Sequence, residues 1–148
     1  MADTRVQLEV EDWVRREWMP RQFNERFSRE RVRLAPGGMF EFDAVNSDFS
    51  VIATISTSCA STAAGKRAVG KLMKLRADMY FLLLADVKRR YLILTDQKMF
   101  TKCEKERARG RVPASIEFFH APRPPELAGR LAASQRVASE EVRPRNDP

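Results

Sequence analysis

Hydrophobic and polar positions along this chain switch between two periods. Residues 8–19 place Leu8 or Val10, Trp13, Val14 and Trp18 at helical spacing, which predicts an amphipathic helix that Pro20 ends or kinks. A second segment sets Phe23 and Phe27 one turn apart and runs to about Arg33, and Pro36-Gly37-Gly38 breaks the pattern. From Met39 the period falls to two: Phe40, Phe42 and Ala44 point one way, Glu41 and Asp43 the other. Asn46, Ser47 and Asp48 supply turn chemistry, and Phe49 to Thr57 returns as a β-branched, largely apolar strand. Gly37 to Thr57 therefore reads as a β-hairpin, and the rest of the chain is arranged around it.

Downstream, Ser56 to Thr62 is a hydroxyl-rich loop in which Ser61 or Thr62 caps a helix to about Ala77, with Ala64, Ala68, Val69, Leu72, Met73 and Leu75 as its apolar face. Met79 to Ala85 is apolar on both faces, and a central strand covered on both sides is expected there. Asp86 to Arg90 turns the chain and Tyr91 to Leu94 returns it as a strand. Thr95 or Asp96 then caps a helix through about Ala108, which Gly110 stops. Ile116 to His120 forms a short strand, Pro122 to Pro125 a stiff connector, and Pro125 opens a helix to about Val142. Residues 1–142 read as one α/β domain, a single mixed sheet flanked by helices in the order α-β-β-α-β-β-α-β-α, and residues 143–148 as a frayed tail.

Composition agrees with this picture. A chain of 148 residues that is 43% hydrophobic and 32% charged has the material for one ordinary core and is not of disordered type. No apolar run reaches the roughly 18–20 residues of a membrane span, so no membrane partner is expected. The N-terminus lacks the apolar centre of a signal peptide, and Cys59 and Cys103 are too few for a disulfide framework or a zinc site. The expectation is a cytoplasmic protein with reduced thiols.

Charge changes the picture more. The net charge is +7, and residues 58–112 hold 14 Lys and Arg against 5 Asp and Glu, including all seven lysines. Such a local surplus suits a polyanion, a DNA or RNA backbone, and makes Lys66, Arg67, Lys71, Lys74, Lys88, Arg89, Arg90, Lys98 and Lys102 candidate phosphate contacts. The plainer account is a solvated surface rich in Lys and Arg. The loop before Lys66 lacks P-loop spacing, because Ala60 stands where the first glycine is required and Arg67 follows the lysine. It reads first as an ordinary Ser/Thr cap. His120, the only histidine, has no acid–nucleophile pattern around it, and both cysteines and both tryptophans read first as packing residues.

Asp43 carries the most pointed chemistry. It stands mid-strand between Phe42 and Ala44, where an ionised carboxylate is costly unless paired. One account is structural, with Asp43 bonded to Thr54, Ser56 or a backbone N–H. The other comes from a resemblance. A helix, then a hairpin whose first strand brings an Asp, then a helix and further strands, is similar to the PD-(D/E)XK nuclease superfamily, the restriction-endonuclease-like fold. Gly38 to Val45 matches the first hairpin strand, with Asp43 in the place of the metal-binding Asp. Across roughly residues 8–95 the resemblance lies in element order, and its motif match is one residue of three.

In that family the second hairpin strand carries Glu-x-Lys, and here Thr54 and Ser56 occupy those positions. Neutral hydroxyls bring no charge to a metal ion and none to a phosphate, so the resemblance implies the fold while the residues argue against its standard catalysis. The expectation is a nucleic-acid-associated protein with a degenerate, inactive metal site. The alternative is an active Mg²⁺- or Mn²⁺-dependent nuclease with a rearranged site: Glu41 and Asp43 holding the metal, Lys66 supplying the cation, and Glu11 or Glu17 adding a carboxylate. A third reading is a non-enzymatic interaction module, a homodimer formed through the N-terminal helix and its two tryptophans.

Overall fold

The computed structural model of the chain describes residues 4–59 and 66–130. Helix α1 (Thr4–Trp13) passes into a π-helical turn (Val14–Trp18) and then into α2 (Met19–Phe23). The N–H of Met19 bonds to the carbonyl of Val14, five residues back. The chain thus carries a helical path through Pro20, which sits in the first turn of α2, where an N–H is dispensable. Asn24, in the left-handed region at φ 55°, ends the helix with its N–H on the Pro20 carbonyl.

Beyond Asn24 the chain is strand β1 (Phe27–Arg33), not the continued helix expected to Arg33. Phe23 and Phe27 do touch, with ring centroids 6.0 Å apart, but across a helix-to-strand corner. Most of β1 is exposed because it lies at the sheet edge, so its sequence carries little apolar periodicity. Gly37 at φ 108° makes the turn into β2 (Met39–Asn46), and β3 (Val51–Ser56) follows as the hairpin partner.

Helix α3 (Lys66–Leu84) then crosses to β4 (Arg89–Leu94), and α4 (Gln97–Ala108) crosses to β5 (Ile116–His120). The strand expected at Met79 to Ala85 is the second half of α3, with Ala85 in an isolated bridge to Leu34. Met79 and Leu82 are buried there while Tyr80 and Leu83 are exposed, the burial rhythm of a helix. Asp96 caps α4 through the Met99 N–H at 3.0 Å, and Gly110 at φ 72° ends it, both as expected. Residues 125–130 are helical (α5), and the expected extension to Val142 and the tail lie outside the described residues.

The five strands stand in sequence order; β1, β2 and β3 are antiparallel, and β4 and β5 are parallel to β3. Helices cover both faces. On one, Leu75, Met79 and Leu82 of α3 and Met99 and Cys103 of α4 pack on Phe42, Val45, Ile52, Leu92 and Leu94. On the other, Val14, Met19 and Phe23 pack on Ala44, Val51, Ala53, Ile55, Tyr91 and Ile93, with Trp13 and Trp18 against them. Trp13 and Trp18 are therefore partly buried against this core. Among the described residues, no helix is long and apolar enough to cross a membrane.

Candidate functional site

Strand β2 is not a simple alternation. Against β1, Ser28 faces Val45 and Glu30 faces Phe42, so β2 holds one residue more than its partner and bulges around Asp43 and Ala44. The bulge puts Phe42 and Val45 on the α3 face and turns Ala44 to the opposite one, so Ala44 does not share a face with Phe40 and Phe42. Arg15 secures the irregular backbone: its Nε donates to the Asp43 carbonyl at 2.6 Å.

The bulge also parts the hairpin. β2 and β3 are paired at Ala44–Ala53 and Val45–Ile52; beyond these the Ile55 N–H donates to Oδ2 of Asp43 at 2.8 Å. Between the parting strands, α1 and α3 lies a cleft of about 650 Å³, lined by Glu11, Glu41, Asp43, Thr54, Ser56, Lys74 and Asp78 among others. It opens beyond the carboxyl end of β3, where ligand sites of open α/β sheets form.

Of the residues expected from sequence, Asp43, Glu41, Thr54 and Ser56 meet in this cleft, joined by Glu11. Lys66 begins α3, with its side chain, like that of Arg67, outside the described residues. Among the described side chains, the lysine that lines the cleft is Lys74, two turns further along α3. Asp78 was hidden from sequence reading because α3 was expected to stop at Ala77; an extended α3 with Lys74 and Asp78 one turn apart on one side is the signal that reveals it. Glu17 does not line the cleft.

The electrostatics are unlike those of a metal site. Burial first, and contact with the Glu11 carboxyl second, push Asp43 up from 3.8 to about 7. Glu11 is held by two arginines: Arg15 Nη2 lies 3.1 Å from Oε1, and Arg29 Nη2 lies 2.9 Å from Oε2. That contact, with the charges of Asp43 and Glu41 behind it, raises the Arg29 pKa. Guanidinium groups thus occupy the carboxylate that would stand beside Asp43 as a second oxygen ligand, and Thr54 adds no charge. Among the described residues, no three Asp, Glu, His or Cys side chains are grouped to hold a metal ion. The donor set does not suit Mg²⁺ or Mn²⁺.

The basic residues divide between several places. Lys71 Nζ bonds to the Cys59 carbonyl at 2.6 Å. Arg90 is not a free phosphate contact, because it donates to the Leu82 and Ala85 carbonyls at 2.8 and 2.6 Å, at the end of α3. Lys88 and Arg89 stand exposed at the far end of the sheet, with Arg89 near the Tyr91 hydroxyl. Lys98 and Lys102 are exposed on α4. His120 lies against Phe100, and the Cys103 thiol is pushed up to about 11, chiefly by burial, which leaves it inert. Compared with known proteins, the chain matches no family model, no curated protein and no solved structure.

Proposed function

We propose that this chain is a nucleic-acid-associated protein of restriction-endonuclease-like fold in which phosphodiester hydrolysis has been lost. The reading is supported by the order helix, three-strand meander, helix and parallel strand. The observation that carries it is the position of Asp43, on the bulged middle strand where β2 and β3 part, with Thr54 and Ser56 in the same cleft. Hydrolysis of this type needs paired carboxylates around a hard cation, and Arg15 and Arg29 already neutralise Glu11.

Among the described residues, four carboxylates and one lysine line the cleft, so a phosphate avoids its floor and meets its rim. Lys74, which lines the cleft, and Lys71, three residues before it on α3 with its Nζ on the Cys59 carbonyl, supply that rim. Anisotropy of labelled duplex and single-stranded oligonucleotides, titrated over a range of salt, tests the reading. Binding that falls steeply with salt and weakens on Lys74→Glu is expected, and no binding at low ionic strength overturns it. Metal-dependent cleavage abolished by Asp43→Ala would instead establish an active nuclease.

A further inference from the structure

Helix α3 is apolar over a wider arc than the sheet can cover. Leu75, Met79 and Leu82 are buried, yet Val69, Met73, Tyr80 and Leu83 remain 57, 60, 58 and 40% exposed. With Arg76 between them, these positions step by four, three, four and three residues, so they form one straight stripe along the helix. Single exposed apolar residues are ordinary, but a row of four on one helix face is a contact surface without its contact. The stripe lies on the side of α3 away from the cleft, since Lys74 and Asp78 face the cleft while Val69 and Leu72 line a second groove, of about 320 Å³, against α4.

The other wall of that groove is cationic. Lys98, Lys102, Lys105 and Arg109 follow one another at four, three and four residues and are all exposed, and Lys102, Lys105 and Arg109 line the groove. Its one carboxylate, Glu106, is already surrounded by Arg76, Arg109 and Arg111 at 3.1, 3.8 and 3.5 Å. Among the described residues, no carboxylate is paired with Lys98, Lys102 or Lys105.

We infer that the α3–α4 groove docks an acidic amphipathic helix of a protein partner, its apolar face on Val69, Met73 and Tyr80 and its carboxylates on Lys102, Lys105 and Arg109. The apolar stripe is about 21 Å long at helical rise, which fits a partner helix of about four turns. A second copy of this chain is a poor occupant, because face-to-face packing would bring cationic rows together. A nucleic acid would meet a mainly aliphatic wall with one exposed aromatic ring, Tyr80, where strand binders offer several stacking platforms. This proposal is independent of the reading of the Asp43 cleft.

The test uses the full chain and a labelled synthetic peptide of about 16 residues, with leucine on one helical face and glutamate on the other, beside a twin with lysine for glutamate. Saturable binding of the acidic peptide but not the basic one is expected, weakening with salt. Met73→Glu with Tyr80→Glu, and separately Lys102→Glu with Lys105→Glu, should each cost at least about tenfold in affinity while far-UV circular dichroism stays native. No binding of the acidic peptide overturns the inference, as does binding that neither pair alters. Loss of oligonucleotide binding on Met73→Glu with Tyr80→Glu would assign the groove to nucleic acid, and self-association abolished by that pair would assign it to a second copy; either overturns it too.

Discussion

The Ile55 N–H donates to the carboxylate of Asp43 at 2.8 Å, so a side chain stands in for the β2–β3 backbone pairing that ends at Ala44–Ala53. Asp43 is raised from 3.8 to about 7 by burial and by Glu11, while the unfolded chain ionises near the ordinary value. Between those two pH values the native state holds a proton that the unfolded state has lost, so stability falls as pH rises through the window and levels off above it. Asp43→Asn keeps an oxygen for Ile55 and cannot ionise. Its unfolding free energy should match wild type near about pH 4 and exceed it near about pH 8 by on the order of 2–4 kcal/mol, read as a higher thermal midpoint. Parallel midpoint curves for the two proteins would show that Asp43 does not titrate in this window.

The cleft should be convertible. Thr54→Glu places a carboxylate across from Asp43, and Arg29→Ala releases one of the two cations on Glu11. The double variant should bind Mn²⁺ calorimetrically with a Kd below about 1 mM, while the wild type gives no saturable heat. A natively folded double variant that gives no heat would remove the cleft as the place of a lost metal site.

How far the site was legible follows from the period of each segment. Gly37 to Thr57 showed its hairpin because a two-residue period, turn residues and β-branched side chains agree there, and Asp96 and Gly110 marked the ends of α4 for equally local reasons. Two segments misled. The edge strand β1 buries little besides Phe27 and Val32, so charged residues dilute its pattern, and Met79 to Ala85 is so apolar that helix and strand periods are indistinguishable. The second error had a cost at the site. With α3 ended at Ala77, Asp78 falls outside the helix that carries Lys74, and the pair is not visible as one face. The bulge at Asp43 has no local mark, since no glycine stands there; it depends on β1, which sequence did not reveal.

Phe23 joins the α2 end to the sheet. Its ring stacks on Tyr91 at 4.7 Å and meets Phe119, Trp18 and Phe27 edge-on at 5.0, 5.9 and 6.0 Å. Phe23→Ala removes all four contacts and leaves a void under the corner that carries the chain from α2 into β1. Because the ring is only partly buried, a loss of about 2–3 kcal/mol in urea unfolding is expected, and Phe23→Leu should lose less. A loss under about 1 kcal/mol would mean that the corner relaxes to close the gap.

Arg90 separates a structural cation from a phosphate-binding one. It follows two exposed basic residues in sequence and looks like them, yet its Nε and Nη2 reach the Leu82 and Ala85 carbonyls, where α3 ends and the helix dipole is negative. Arg90→Met keeps most of the aliphatic stem and removes both bonds, leaving two carbonyls without their charged donor. Unfolding free energy should drop by about 1–3 kcal/mol, because hydrogen bonds from a charged donor are worth more than neutral ones. Oligonucleotide affinity and its salt slope should stay unchanged for this variant under conditions where it remains folded. An unchanged stability together with a shallower salt slope would reverse the assignment and return Arg90 to the phosphate-contacting set.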